Sequence, residues 1–381
     1  MSSIVLPGGE RYELRGGAAF GAGTAPAASR IAYAAAHVVA DPLAENVPGA
    51  PAALDWDATL AFRHHLWRHG LGVAEAMDTA QRGMGLDYPA VRELVRRSAS
   101  EARSVSGRIV AGVATDQLDG PATVPQVLDA YREQLADVVS AGAVPVIMCS
   151  RHLAAVASGP DDYVSVYSTL LSEVDAPVVL HWLGPMFDPM LTGYWGSTDL
   201  NAAADTVLAL LKDHAAKVEG IKMSLLDADF EVAFRRRLPD GVRMYTGDDF
   251  NYPDLIAGDE HGYSDALLGV FAAIAPLVGP ALAELDKGSK DGFHALLDPT
   301  VPLARHLFGA PTQFYKTGIV FLSWLSGHQQ HFTMVGGLQS GRSVTHLARL
   351  LVLADEAGLL PHADLAAARA RSLFAVAGVS Q

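Results

Sequence analysis

Val218-Glu219-Gly220-Ile221-Lys222-Met223-Ser224 is a short apolar run with a lysine set into it, and its reading as a strand organises the rest of the chain. Its core, Gly220–Met223, lies between a helix-like segment, Ala202–Ala216, and a second apolar run, Val242–Tyr245. The same alternation extends in both directions. Strands are expected at Ile31–Ala36, Gly72–Met77, Ile109–Val113, Pro145–Met148, Pro177–Leu180, Gly220–Met223, Val242–Tyr245 and Tyr263–Val270. Helix-like stretches between them include Asp57–His69, Tyr88–Ser104, Val124–Ala141 and Asp161–Ser172; in the first, Leu60, Phe62, Leu66 and Trp67 recur mostly at the helical spacings of three and four. Short apolar strands separated by helices imply a parallel sheet buried on both faces. Eight such units close most simply into a barrel. An open doubly wound sheet is the alternative, but no glycine-rich dinucleotide fingerprint follows the first strand. The expected class is α/β, a (β/α)8 TIM barrel with a C-terminal helical extension, divided as 1–29 (a strand–turn–strand, Ser3–Val5 and Arg11–Leu14, then a Gly/Ala loop), 30–279 and 280–381.

Composition narrows the function. The 381 residues are half hydrophobic and 18% charged, as suits a soluble protein with a large core. A formal charge of −14 argues against a nucleic-acid surface, which needs clustered Lys and Arg. The single cysteine, Cys149, permits no intrachain disulfide and fits a reducing compartment. No apolar run reaches the length of a membrane span, and the N-terminus lacks the signal-peptide pattern, so a cytoplasmic protein without membrane partners is expected.

In a barrel the chemistry gathers at the carboxyl ends of the strands. The residues there are polar: His37, Asp78–Arg82, Thr115–Gln117, Ser150–His152, His181–Trp182, Lys222–Ser224 and Thr246–Asp249. Lys222, desolvated in an apolar strand, is expected to have a lowered pKa and a nucleophilic amine able to form an imine with a carbonyl; an ordinary ion pair is the plainer reading. Asp248 and Asp249 are placed to orient Lys222, cap the next helix or bind a metal. His181 is a candidate proton shuttle and Trp182 a pocket wall, against the plainer reading of a packed, hydrogen-bonded histidine. Arg82 and Arg151 suit bidentate recognition of a carboxylate or phosphate, or surface ion pairs. His328 and His331, three apart in the helical tail, lack a third metal partner.

From Gly220-Ile221-Lys222 onward the chain resembles the dihydrodipicolinate synthase / N-acetylneuraminate lyase family, the class I Schiff-base (β/α)8 enzymes, and within it an uncharacterised branch of unknown function. The resemblance spans roughly Arg30 to Leu360. It rests on the Gly-Ile-Lys strand at Lys222, the Gly-Asp-Asp turn at Thr246–Asp249, and the helix from Phe314-Tyr315-Lys316 to Leu325-Ser326-Gly327. It implies a Schiff-base lysine at Lys222 and a homo-oligomer. The family's tyrosine proton relay after the fifth strand falls on His181. Its carboxylate-binding loop falls on Asp78-Thr79-Ala80-Gln81-Arg82, where only the first threonine is kept. Its aromatic residues after strand four are replaced at Ser150–His152, and residues 189–197 are an insertion.

The leading expectation is a lyase, aldolase or dehydratase acting on a keto acid or sugar-derived carbonyl through Lys222, with His181 as relay. Thr79, Gln81, Arg82, Arg151, His152, Trp182, Asp248 and Asp249 would bind the substrate, and neither metal nor cofactor is called for. A metal-dependent sugar isomerase or hydrolase using His37, Glu75, Asp78, His152, His181 and Asp248 or Asp249 is the first alternative. A non-catalytic barrel that binds a small ligand is the second.

Overall fold

The computed structural model describes residues 2–17 and 23–381; the stretch 18–22 of the expected Gly/Ala loop lies outside the described residues. Two short strands, β1 (Ser3–Val5) and β2 (Arg11–Glu13), pair antiparallel ahead of the main body. Eight strands then close into a barrel: β3 (Ala32–Ala35), β4 (Gly72–Glu75), β5 (Ile109–Val113), β6 (Val144–Ile147), β7 (Val178–Leu183), β8 (Val218–Ser224), β9 (Arg243–Thr246) and β10 (Asp265–Leu268). Every neighbouring pair is parallel, and β10 pairs with both β9 and β3 to shut the ring. The protein is thus a (β/α)8 barrel with a helical C-terminal region.

The two faces of the strands explain the sequence pattern. One set of side chains fills the barrel, with Tyr33, Val110, Val146, Val179, Tyr245 and Leu267 forming one buried cluster. The other set meets the surrounding helices, so each strand reads as continuously apolar. Gly220 is needed for this filling, since a Cβ there would lie 2.7 Å from the Tyr245 ring. In the β7–β8–β9 register, His181, Lys222 and Tyr245 are direct neighbours and share the interior face.

The boundary expected between residues 279 and 280 falls inside one helix, Phe271–Asp286, with Pro276 and Pro280 within it. The prolines stand four residues apart on one side of that helix. Burial of Ile274, Val278 and Leu282 offsets the two lost backbone hydrogen bonds. Five further helices follow: Lys290–Leu297, Val301–Leu307, Tyr315–Leu325, Val344–Glu356 and Ala363–Val376. The region is tied to the N-terminal hairpin through Tyr12, whose hydroxyl donates to Asp355 at 2.8 Å.

At the end of β4, Glu75 is fully buried and bonded on both oxygens by Arg63, at 2.7 and 2.8 Å. This arrangement removes Glu75 from the proposed metal set, because both its oxygens are engaged away from the mouth. His37 is likewise engaged, with Gln329 at 3.0 Å. Replacing Glu75 by Ala should cost about 3–5 kcal/mol, since it strands a buried guanidinium. Arg63→Met/Glu75→Leu should recover most of that loss. Urea denaturation of the single and double variants measures both, and equal losses in the two would contradict the assignment.

Candidate active site

Lys222 projects from β8 into the barrel and is only 6% exposed. Burial pushes its pKa down, while the carboxylates of Asp78 and Asp249 oppose that shift from a distance, without a hydrogen bond to the amine. Asp249 is 3% exposed and accepts from the Val270 backbone N–H at 2.8 Å, which fixes it to the end of β10. Burial pushes the Asp249 carboxyl up, and the charge of Lys222 pulls it down. Burial thus disfavours the charge on each group, while each charge favours the other.

Gly247 makes room for the lysine. A Cβ at this position would lie 2.8 Å from Lys222 Cε, 2.7 Å from the Met223 carbonyl and 2.2 Å from Ser224 Oγ. The sequence suggests a tight turn here; the structure adds a close approach that excludes any side chain.

His181 is the neighbour of Lys222 on β7, with no exposed surface. Its Nε2 lies 3.2 Å from Ser224 Oγ, and its Nδ1 has no partner. Burial and then the charge of Lys222 hold the imidazole well below its ordinary pKa, so it is neutral near pH 7. This histidine is inside the strand rather than past its end, deeper than the sequence reading places it.

Across the mouth, Thr79 Oγ1 and Tyr315 Oη share a hydrogen bond of 2.8 Å. Tyr315 comes from the C-terminal helix Tyr315–Leu325 and stacks on Phe308, with ring centroids 4.3 Å apart. Burial, then the charge of Asp78, raises its phenol pKa; Asp249 adds to this. Asp78 and Asp249 therefore act on both Lys222 and Tyr315, which puts the amine, the phenol and the two carboxylates in one electrostatic neighbourhood. The next residue, Lys316, is buried as well; its Nζ donates to Met84 Sδ at 3.3 Å, and burial lowers its pKa to about 8. Asp78 stands within electrostatic range of this second lysine too. The chain after β4 is turned toward the mouth by two left-handed residues, Ala76 (φ 51°) and Gln81 (φ 65°), which flank the Asp78–Ala80 turn.

Several expected substrate contacts are directed elsewhere. Trp182 is one position from His181, so strand alternation sends it outward, edge-on to Phe230 and Phe234 at 5.9 and 6.0 Å. Gln81 donates to the Val335 carbonyl at 2.8 Å and ties the loop to the C-terminal region. Arg82 is held bidentately by Asp116 at 2.5 and 2.9 Å and also donates to the Gly112 carbonyl at 2.7 Å. Asp248 accepts from the backbone N–H of Phe250 at 2.8 Å and of Asn251 at 3.1 Å and so closes a turn ahead of the helix Tyr252–Ala257, whose N-cap is Asn251; neither aspartate caps that helix. Arg151 pairs with Asp188 at 2.5 Å and His152 Nδ1 lies 3.0 Å from Thr115 Oγ1; both line an open cleft beside the site.

Tyr315 and Lys316 are the site members that a strand-end search misses. Their sequence signal is local: Lys316 is the only charged residue in the helix Tyr-Lys-Thr-Gly-Ile-Val-Phe-Leu-Ser-Trp-Leu. Among the described residues, no group of three or more His, Cys, Asp or Glu side chains is placed to hold a metal ion. No helix among them is long and apolar enough to cross a membrane.

The chain matches the family described as "Protein of unknown function (DUF993)" over residues 7–379. No curated protein matches it in sequence. Among solved structures it is similar to the dihydrodipicolinate synthase of Aquifex aeolicus, at 12% identity and a TM-score of 0.66, covering 87% of this chain and 99% of that one. It is also similar to the Thermotoga maritima enzyme of the same name, at 15% identity and a TM-score of 0.65, covering 87% and 100%. YagE of E. coli K12, a prophage protein of the dihydrodipicolinic acid synthase family crystallised with pyruvate, matches at 13% identity and a TM-score of 0.68, again over 87% and 100%.

Gly247→Ala should displace the Lys222 stem and destabilise the fold by about 1–3 kcal/mol. Thermal melting gives the stability term. Reactivity of Lys222 toward an amine-selective acylating reagent, read by peptide mass mapping, gives the displacement; unchanged reactivity and melting would contradict the close approach.

Proposed function

The chain belongs to the DUF993 family, a divergent branch with the dihydrodipicolinate synthase fold, and on that premise we propose that it is a class I lyase or aldolase, or a dehydratase, that forms a Schiff base between Lys222 and a keto acid or sugar-derived carbonyl substrate. The observation that carries the proposal is the burial of Lys222 inside the barrel without a hydrogen-bonded carboxylate. Burial favours the free amine, which is the nucleophilic form.

The steps balance without oxidant or reductant. Nζ attacks the carbonyl carbon, the oxygen leaves as water after protonation, and an iminium remains. The iminium takes up the electron pair of the breaking carbon–carbon bond; in a dehydratase it instead takes up that of an α C–H bond, whose proton passes to a neighbouring base, and the enamine so formed expels the β-hydroxyl, which leaves as water after protonation. Protonation of the enamine carbon and hydrolysis of the imine then return the amine. The proton movements fall to the groups beside Lys222. Asp249, raised by burial, holds or releases a proton next to Nζ. The Tyr315–Thr79 pair offers a hydroxyl relay from the opposite side. His181 serves as a neutral hydrogen-bonding neighbour of Lys222 rather than as an acid, because burial disfavours its charged form. Lys316 supplies positive charge behind Asp78 for an acidic substrate, while Arg151 and His152 edge the cleft through which it enters. The homo-oligomer implied by the resemblance remains part of this proposal and is measured by light scattering.

Borohydride added with a panel of keto acids and keto sugars should give one stable adduct, mapped to Lys222 by peptide mass. Lys222→Ala should abolish adduct and turnover; turnover by a substrate that leaves no adduct, or full activity of the variant, would overturn the proposal. The trapping rate should rise with pH as the amine deprotonates. Asp249→Asn removes a negative charge that favours the ammonium, so the rise should move to lower pH; an upward move would contradict the pairing. Tyr315→Phe should slow turnover by about 10²–10⁴-fold while leaving trapping intact, as expected for a proton-transfer group. Stopped-flow trapping beside steady-state kinetics separates the two.

A further inference from the structure

An open cleft of about 540 Å³ lies over the ends of β5, β6 and β7, and it begins at Asp78, one of the two carboxylates that act on Lys222. A volume of this size fits a ligand far larger than a three-carbon keto acid. Several of its polar wall groups are engaged with one another. Arg82 is paired with Asp116, Arg151 with Asp188, and Thr115 Oγ1 lies 2.6 Å from Ser150 Oγ and 3.0 Å from His152 Nδ1. Cys149 Sγ donates to the His181 carbonyl at 3.2 Å. The rest of the wall is carbon: Leu118, Pro121, Ala155, Leu183, Met190 and Leu191. The last two belong to the insertion 189–197, anchored beneath by Tyr194, whose hydroxyl accepts from the Ser150 N–H at 3.0 Å, and by fully buried Trp195.

From this arrangement we infer that the cleft is a subsite for an apolar substituent, aliphatic or aromatic, of the carbonyl substrate, and that the insertion 189–197 is its specificity-determining outer wall. The inference rests on the Schiff-base reading only for the orientation of the substrate, with its carbonyl at Lys222 and its apolar arm past Asp78. A polyhydroxylated arm would set hydroxyls against Leu118, Leu191 and Met190, where they find no partner. An apolar arm displaces water from carbon walls and leaves the polar pairs intact. Met190, unbranched and 62% exposed at the rim, is suited to close over arms of different shape.

Calorimetric titration of the full chain with 4-phenylbutanoate and with gluconate tests the subsite without imine chemistry, because neither probe carries a ketone. The expected result is at least tenfold tighter binding of 4-phenylbutanoate. That preference should persist in Lys222→Ala and fall by tenfold or more in both Met190→Asp and Leu118→Asp. Met190→Asp lies on the exposed rim and keeps the test open should Leu118→Asp fail to fold. Equal binding of the two probes, a preference for gluconate, or a preference indifferent to Met190→Asp would overturn the inference. Borohydride trapping with 2-oxo-4-phenylbutanoate and with pyruvate tells the two readings apart. Apolar preference without any adduct removes the Schiff base and keeps the subsite; an adduct with pyruvate and no apolar preference removes the subsite and keeps the Schiff base.

Discussion

Taking an ammonium group out of water into a barrel mouth costs several kcal/mol unless a counter-charge or loss of the proton relieves it. Lys222 has no hydrogen-bonded carboxylate to relieve it, only Asp78 and Asp249 acting from a distance. Much of the surrounding geometry follows from that constraint. Gly247 is bare because the lysine stem passes against it, Asp249 is pinned by the Val270 N–H where its charge still reaches the amine, and His181 stays neutral first because it is fully buried and then because of the neighbouring Lys222. Burial shifts this amine toward its neutral form, the form that the proposed imine chemistry requires.

The C-terminal helical region completes this arrangement. It brings Tyr315 to Thr79 and Lys316 to the far side of Asp78, and it ties the loop after β4 through the Gln81–Val335 hydrogen bond. Three elements distant in sequence thus meet over one half of the mouth, while the insertion 189–197 closes the other half around a carbon-walled cleft. On the reading proposed above, the chemistry at Lys222 and the selection of the substrate arm fall to different parts of the chain, so one can change without the other.

Much of the barrel was legible because strand alternation with helices is a property of local patterning. Lys222 stood out as a charge in an apolar strand, and Asp249 as the acid at the end of the next. Other readings failed for three-dimensional reasons. Trp182 follows His181 in sequence, but one step along a strand reverses the face. Glu75 looks like a mouth residue until Arg63 is seen to engage both its oxygens, and Arg82 lines the cleft with its guanidinium already held by Asp116. The capping role expected of Asp248 or Asp249 falls to neither: Asp248 closes the turn before the helix, and the N-cap is Asn251. Tyr315 and Lys316 were out of reach of any strand-end rule, since only the packing of a helix some seventy residues beyond β9 carries them to the mouth.

The central claim, a lysine whose burial shifts it toward the free amine, is open to direct titration. The chain has six lysines, so a protein labelled with carbon-13 at lysine Cε gives a countable set of signals, and Lys222→Arg identifies the one that matters. Its chemical shift followed against pH should show a midpoint well below that of the exposed lysines in the same sample. A midpoint at or above theirs would mean that Asp78 and Asp249 outweigh burial, that Lys222 is a structural ammonium, and that the Schiff-base reading is wrong.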